Sequence, residues 1–253
     1  MCFDHDSRPP ITPIAGGALD AHEIALEAAD GNRFAAFVAR AAEPTGAGIV
    51  ILPDIRGLHA YYRELAMRFA EHGIDATAID YFGRTAGIGD RGPDFAWQEH
   101  VPLTTFDGLR ADVMAAAADL RATAGVERLF ATGFCMGGRL TFLAAGFGLD
   151  LAGVIGFYGW PTGPSKNGSP APAEVAGTFA CPVLAIFGGA DEGIGPDAVA
   201  TFESALAEAG VAHRVTTYAD APHSFFDRKA TDFAAASAQA WDEVLGFIST
   251  GKP

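Results

Sequence analysis

The feature that most constrains the fold is a series of short apolar segments that alternate with segments of helical periodicity. Ala47–Leu52 and Val183–Phe187 are apolar along their whole length, so both faces of each predicted strand are buried. Tyr61–His72 and Thr104–Ala124 place their apolar residues at helical spacing. This alternation is typical of a parallel sheet with helices on both faces. Further strands are predicted at Ile74–Asp80, Arg128–Gly133, Ala152–Tyr158 and His213–Tyr218, and further helices at Met136–Phe147, Pro196–Ala209 and Asp232–Ile248.

The N-terminal part of the chain has a different pattern. Apolar and polar residues alternate over His22–Ala28, Asp30-Gly31 makes a turn, and Arg33–Arg40 is extended again. This predicts an antiparallel hairpin at the edge of the sheet. We expect residues 1–20 to form a loosely attached N-terminal arm and residues 21–253 to form a single α/β domain.

Charge and cysteine content exclude several classes of protein. Lys and Arg total 17 and Asp and Glu total 31, so the formal charge of −14 argues against binding to nucleic acid or to an anionic membrane. No apolar run approaches the roughly 18 residues of a spanning helix. Cys2, Cys135 and Cys181 are too few for a disulfide framework. Because the N-terminus carries acids and prolines rather than an apolar leader, we expect a cytoplasmic protein.

The sharpest local motif is Gly-Phe-Cys-Met-Gly-Gly at residues 133–138, between a predicted strand and a predicted helix. A nucleophile flanked by glycines at such a turn forms a nucleophile elbow. Glycine is needed at 133 and 137 because strand and helix pass closely there. The helix N-terminus behind Cys135 favours its thiolate. The alternative is a buried structural cysteine in a glycine-rich turn.

A nucleophile elbow needs a base and an acid that orients it, and in this type of fold they follow the nucleophile in the order acid, then histidine. Asp191 comes after the strand Val183–Phe187, and His223 comes after the strand that ends at Tyr218. Both therefore lie at the carboxyl edge of the sheet, as Cys135 does. Glu192 is an alternative to Asp191, and His223 could instead be an ordinary surface histidine.

Two long connections, residues 82–101 and 159–180, are rich in glycine, proline and polar residues. Loops of this length inside a compact domain are usually lids or binding loops. Both follow carboxyl ends of strands, where open α/β sheets bind ligands.

Cofactor motifs are absent from the sequence. Residues 87–92 spell Gly-x-Gly-x-x-Gly, but Pro93-Asp94 follows where a dinucleotide-binding motif would open a helix. There is no phosphate-binding Gly-x-x-x-x-Gly-Lys-Ser/Thr loop, no His-Glu-x-x-His and no Cys-x-x-Cys. We therefore expect neither a cofactor nor a catalytic metal.

These motifs together resemble the dienelactone hydrolase (carboxymethylenebutenolidase) family within the α/β-hydrolase superfamily. The shared features are the Gly-x-Cys-x-Gly-Gly elbow, Gly-Gly-x-Asp at 188–191 and Pro-His-Ser-Phe at 222–225. Residues 52–57 are similar to the family's loop after the third strand, and residues 80–84 resemble another family motif. The resemblance covers residues 22 to 249.

The resemblance implies a catalytic role for each matching residue. Cys135 would be the nucleophile, His223 the base and later the acid, and Asp191 the group that orients His223. The backbone N–H groups of Ile55 and Met136 would form the oxyanion hole.

The resemblance also implies residues that contact the substrate. Arg84 would hold a substrate carboxylate, and Asp54 would lie beside the thiol and an arginine. This sequence departs from the family pattern in two places. Asp54 stands where the family has glutamate, and Asp227 stands where it has a second arginine, so Arg228 or Arg56 would take that place.

The predicted function is hydrolysis of a small lactone or ester through a covalent cysteine intermediate. A thioesterase or simple-ester esterase with the same triad, a non-catalytic protein that binds a small ligand, and a thiol redox enzyme are the alternatives. The last would need a resolving cysteine near Cys135. The only partner expected is the small-molecule substrate, and the sequence leaves both a monomer and a homodimer open.

Overall fold

The computed structural model describes residues 3–227 and 231–253 and contains an eight-stranded, mostly parallel sheet in the order β1-β2-β4-β3-β5-β6-β7-β8. β1 pairs antiparallel with β2, and β2 with β4, while all other neighbours are parallel. The predicted hairpin and parallel sheet are both confirmed. The strands are β1 Ala18–Glu27, β2 Arg33–Ala41, β3 Ala47–Leu52, β4 Ile74–Ile79, β5 Arg128–Phe134, β6 Gly153–Phe157, β7 Val183–Gly188 and β8 His213–Tyr218.

Helices cover both faces of this sheet, as the sequence predicts. The longest, α4, begins where the Thr105 hydroxyl accepts a hydrogen bond from the N–H of Gly108, and it ends at Gly125 in a left-handed conformation. In the ranges that the structure describes, no helix is long and apolar enough to cross a bilayer. The helices are α1 Ala60–Glu71, α2 Gly83–Ala86, α3 Trp97–His100, α4 Phe106–Ala124, α5 Met136–Ala144, α6 Pro172–Val175, α7 Pro196–Glu208 and α8 Ala234–Thr250.

The core lies on both sides of the central strands. Every residue of β3, β4, β6 and β7 is buried, which explains why these strands lack the alternation of a half-exposed strand. β8, at the edge of the sheet, has no fully buried residue. The carboxyl ends of the central strands are therefore supported by a continuous apolar core.

The N-terminal segment is more firmly attached than the sequence suggests. Phe3 is only 1% exposed, and its ring lies 4.1 Å from that of Tyr61 between ring centroids. Ser7 donates a hydrogen bond of 2.6 Å to the carboxylate of Asp227. The expectation of a loose arm fails here because one aromatic side chain fills a cluster built from distant parts of the chain, which no local periodicity reveals.

The connection over residues 82–101 is held by Arg91. The Arg91 guanidinium donates to both carboxylate oxygens of Asp80, at N···O distances of 2.9–3.2 Å, in a buried pair. It also lies over the ring of Phe95, at 4.6 Å from the centroid. Asp80 is the residue that directly follows β4, so this loop is fixed to the end of its own strand.

The connection over residues 159–180 is held in a similar way by Arg139 of α5. The buried guanidinium donates to five backbone carbonyls and to the Ser169 hydroxyl, at distances of 2.8–3.2 Å. A planar group with five N–H donors is suited to this arrangement. The carbonyls belong to Trp160, Thr162, Gly163, Ser169 and Pro170.

Candidate active site

The sheet topology brings the predicted catalytic residues to one edge. Ile55 follows β3, Cys135 follows β5, Asp191 follows β7 and His223 follows β8. These four strands are parallel, and only β6 lies between β5 and β7 in the sheet. All four residues line a single cavity at the carboxyl ends of the strands.

Cys135 lies at a sharp turn between β5 and α5. Its backbone has φ 57° and ψ −115°, a strained conformation for a residue other than glycine, and only 3% of the residue is exposed. A Cβ at Gly133 would collide with the carbonyl of Gly137, and a Cβ at Gly137 would collide with the carbonyls of Leu52 and Pro53. Both glycines are therefore required by close backbone contacts, which is the physical basis of a nucleophile elbow.

His223 and Asp191 form a hydrogen-bonded pair, with Nδ1 of the imidazole 2.7 Å from Oδ2 of the carboxylate. The other carboxylate oxygen of Asp191 accepts the N–H of Gly193 at 2.8 Å. Burial opposes ionisation of Asp191, but His223 and the backbone donors together hold its pKa below the ordinary value. Asp191 therefore stays ionised through the neutral range and loses its charge only below the ordinary carboxyl range. The structure places Asp191, and not Glu192, against the imidazole.

Two aromatic rings that the sequence analysis did not single out enclose the imidazole of His223. Tyr158 and Trp160, directly after β6, each have a ring centroid 4.9 Å from that of His223. Nε2 of His223 is buried and has no hydrogen-bond partner among the described residues. The imidazole is thus hydrogen-bonded at Nδ1 and flanked by two tilted aromatic rings.

The oxyanion-hole candidates lie on either side of Cys135. Met136 is the first residue of α5, where backbone N–H groups have no acceptor within the helix. Ile55 lies in a tight turn that Asp54 stabilises. The Asp54 carboxylate accepts a hydrogen bond of 2.9 Å from the N–H of Arg56, and its backbone carbonyl accepts one of 3.1 Å from the N–H of Gly57. The Asp54 side chain therefore fixes the loop that carries Ile55.

Asp54 is buried beneath this loop. His59 Nε2 lies 3.7 Å from its carboxylate. Burial raises the pKa of Tyr81 well above the ordinary value, and the charges of Asp54 and Cys135 act in the same direction. The position of Asp54 beside the thiol stays a prediction.

The three arginines named as substrate contacts have different positions. Arg56 lines the cavity, with its side chain 15% exposed and 3.9 Å from Asp4. Arg84 does not line it and instead pairs with Asp30 and with the buried Asp112. This placement does not support the prediction that Arg84 holds a substrate carboxylate. Arg228 lies outside the described residues.

The cavity has a volume of about 970 Å³ and is walled by both long connections. Its lining is largely apolar and includes Ile55 and Met136. Lys166, which the sequence analysis did not identify, is a further cation of the lining besides Arg56 and Arg139. The 82–101 connection contributes Trp97 and Val101, and the 159–180 connection contributes Trp160, Pro164, Ser165, Lys166 and Asn167.

Known proteins are similar in sequence to this chain over most of its length. A protein of Escherichia coli O157:H7, provisionally named carboxymethylenebutenolidase, is 31% identical over 94% of this chain and 92% of its own length. A Bradyrhizobium protein, provisionally named 2-oxo-3-(5-oxofuran-2-ylidene)propanoate lactonase, is 27% identical over 79% of this chain and 82% of its own.

A crystal structure from Klebsiella pneumoniae, of a protein provisionally named dienelactone hydrolase, superposes with a TM-score of 0.78. It is 27% identical, and the match covers 92% of this chain and all of that one. The sequence model of the dienelactone hydrolase family matches residues 34–251. The chain has the α/β-hydrolase fold and belongs to the dienelactone hydrolase family.

Proposed function

We propose that this protein hydrolyses a lactone or ester through a covalent thioester at Cys135. Family membership supports a hydrolase that acts on such bonds. The observation that carries the finer proposal is the imidazole of His223, which is oriented by Asp191 and faces the same cavity as the strained Cys135. A nucleophile, a base and an orienting acid in this order are the parts that acyl transfer requires.

In the proposed reaction, His223 takes the thiol proton and the sulfur of Cys135 bonds to the substrate carbonyl carbon. The carbonyl π electrons move to oxygen, and the N–H groups of Ile55 and Met136 stabilise that oxyanion. When the C–O bond of the substrate breaks, His223 returns the proton to the departing oxygen. Water, deprotonated by His223, then attacks the thioester, and the thiolate leaves as the acid is released.

Trapping the acyl-enzyme tests this function. After brief incubation with p-nitrophenyl acetate and acid quenching, we expect mass spectrometry to find one acetyl group on the tryptic peptide that contains Cys135. The thioester should disappear on longer incubation as water completes the cycle. Turnover of the ester with acetylation at another side chain, or without any covalent intermediate, would contradict the proposal.

We further propose that Arg56 binds the carboxylate of an anionic substrate. The family relative from Bradyrhizobium is named for a lactone that carries a propanoate group. Arg56 lines the cavity, and charge-assisted hydrogen bonds contribute about 1.5–3 kcal/mol each. Arg56→Ala should therefore lower kcat/KM by about ten- to a hundredfold on a carboxylate-bearing lactone, and should change little on a neutral ester.

Arg84→Ala is the matched control for this prediction. Arg84 pairs with the buried Asp112 and does not line the cavity. Arg84→Ala should therefore lower the free energy of unfolding by about 2–3 kcal/mol, somewhat less than the loss of one partner of a fully buried pair. The substrate preference should not change. Kinetics on both substrates and thermal unfolding separate the two roles. A carboxylate-specific loss in Arg84→Ala rather than Arg56→Ala would reverse the assignment.

A further inference from the structure

Two tryptophans line the cavity from opposite directions. Trp97 begins α3 in the connection after β4, and Trp160 lies in the connection after β6. In the sheet, β4 is two strands from β5 on one side, and β6 is next to β5 on the other. Cys135, at the end of β5, therefore lies between two aromatic walls.

In the proposed reaction, the leaving group departs on the side of the cavity where Trp160 lies. The indole ring contacts the imidazole of His223, with 4.9 Å between ring centroids, and His223 protonates the departing oxygen in the proposed reaction. Whatever is attached to that oxygen must then lie beside Trp160. In the proposed reaction, the acyl part extends into the rest of the cavity, whose lining includes Ile55, Trp97 and Val101.

The orientation of Trp160 is fixed before any substrate binds. Its Nε1 donates to the carbonyl of Gly193 at 3.0 Å, and its own carbonyl accepts a hydrogen bond from Arg139 at 3.1 Å. Even so, 37% of the residue remains exposed where it lines the cavity. A large, rigid aromatic surface thus faces the site of the leaving group without being covered by the protein.

The size of the cavity argues for a substrate that uses this surface. A volume of about 970 Å³ lies at the upper end of the range for drug-sized ligands, and a monocyclic lactone fills only a fraction of it. Aromatic rings bind flat aromatic groups by offset stacking or edge contacts, with a gain beyond simple burial.

We propose that this site takes esters of bulky aromatic alcohols or phenols, and that the aromatic leaving group stacks on Trp160. The proposal rests on the proposed thioester mechanism. Attack by the Cys135 thiolate breaks the bond between the carbonyl carbon and the aryl oxygen. The aryloxy group leaves with the electron pair and takes the proton held by His223, so no further reactant than water is needed.

Two acetate esters that differ in ring size test the stacking. With phenyl acetate and 2-naphthyl acetate, we expect kcat/KM of the unaltered protein to be about tenfold higher for the naphthyl ester, mostly through a lower KM. Trp160→Leu should bring this ratio near one. Trp160→Phe keeps a ring but loses the N–H donor to Gly193, so it should retain much of the preference.

Two control variants locate the effect. Trp97→Leu removes the same ring from the acyl side and should leave the naphthyl-to-phenyl ratio unchanged. Met114→Ala removes an exposed apolar side chain from α4, outside the cavity, and should leave both rates unchanged. A ratio near one in the unaltered protein, or an equal loss of preference in Trp97→Leu, would overturn the proposal. If Trp160→Phe lost the naphthyl preference as Trp160→Leu does, the hydrogen bond to Gly193, and not stacking, would explain the preference, and the proposal would be wrong.

Binding of the product separates this inference from the mechanism. Calorimetry with 2-naphthol and the Cys135→Ala variant measures the aromatic site without catalysis. We expect binding that weakens about tenfold when Trp160→Leu is added. Failure of acyl trapping with intact 2-naphthol binding would contradict only the thioester mechanism, whereas normal acyl trapping without such binding would contradict only the aryl-ester assignment.

Discussion

Cys135→Ala should lower kcat for ester or lactone hydrolysis by at least about 10⁴-fold, because without the sulfur no covalent intermediate forms. The residual rate would come from binding and the oxyanion hole alone. Steady-state turnover of p-nitrophenyl acetate measures the loss. Alanine at 135 relieves none of the backbone strain and removes little volume, so thermal unfolding should change only slightly.

Cys181→Ala is the control for this variant. Burial raises the pKa of the Cys181 thiol to about 12, so it should react slowly with iodoacetamide and play no part in turnover. Cys2 lies outside the described residues. Iodoacetamide should therefore inactivate the Cys181→Ala variant as fast as the unaltered protein. Full activity of Cys135→Ala would end the proposed mechanism.

His223→Ala should have the second large effect, a loss of about 10⁴-fold in kcat. The imidazole is needed twice, to take the thiol proton and to activate water, and within residues 3–227 and 231–253 no other histidine pairs with Asp191. If the second use limits turnover, quenched samples of the variant should still contain slowly formed acyl-enzyme. A loss below tenfold would contradict the assignment of His223 as the base.

Asp191→Asn should lower kcat on the order of 10²-fold, which is less than the loss expected for His223→Ala. The equivalent change in a serine hydrolase lowers kcat about 10⁴-fold. A thiol ionises more readily than a hydroxyl and depends less on a stabilised imidazolium. Glu192→Gln is the matched control, since Glu192 is exposed and does not bond to His223. A larger loss in Glu192→Gln than in Asp191→Asn would show that the acid is misassigned by one position.

The fold was predictable because its signals are local. Buried parallel strands such as Ala47–Leu52 are apolar throughout, and β8 lies at the predicted bounds His213–Tyr218. The positions of Cys135, Asp191 and His223 at the carboxyl edge of the sheet were predictable for the same reason. Each lies in a short motif directly after a strand, and the sheet topology brings these strand ends together.

What the sequence could not predict depends on contacts between distant residues. Arg84 pairs with Asp30 and Asp112, which are 54 and 28 positions away, and nothing in its local motif reveals these partners. Trp160 reaches His223 across 63 positions only because β6 and β8 flank β7. Phe3 belongs to no periodic segment at all. Tertiary packing determines the positions of these residues, and neither hydrophobic periodicity nor motif spacing predicts that packing.

The hold of Arg139 on the 159–180 connection has a consequence for how this protein can diverge. The guanidinium donates hydrogen bonds mainly to main-chain carbonyls, among them that of Pro170. Every amino acid has the same carbonyl group, so these bonds do not depend on the side chain at each position. Side chains of this wall can therefore be exchanged during evolution, or in a mutant library, while the anchor is preserved. New substrate preferences can arise there without a new scaffold, provided that the arginine itself is kept.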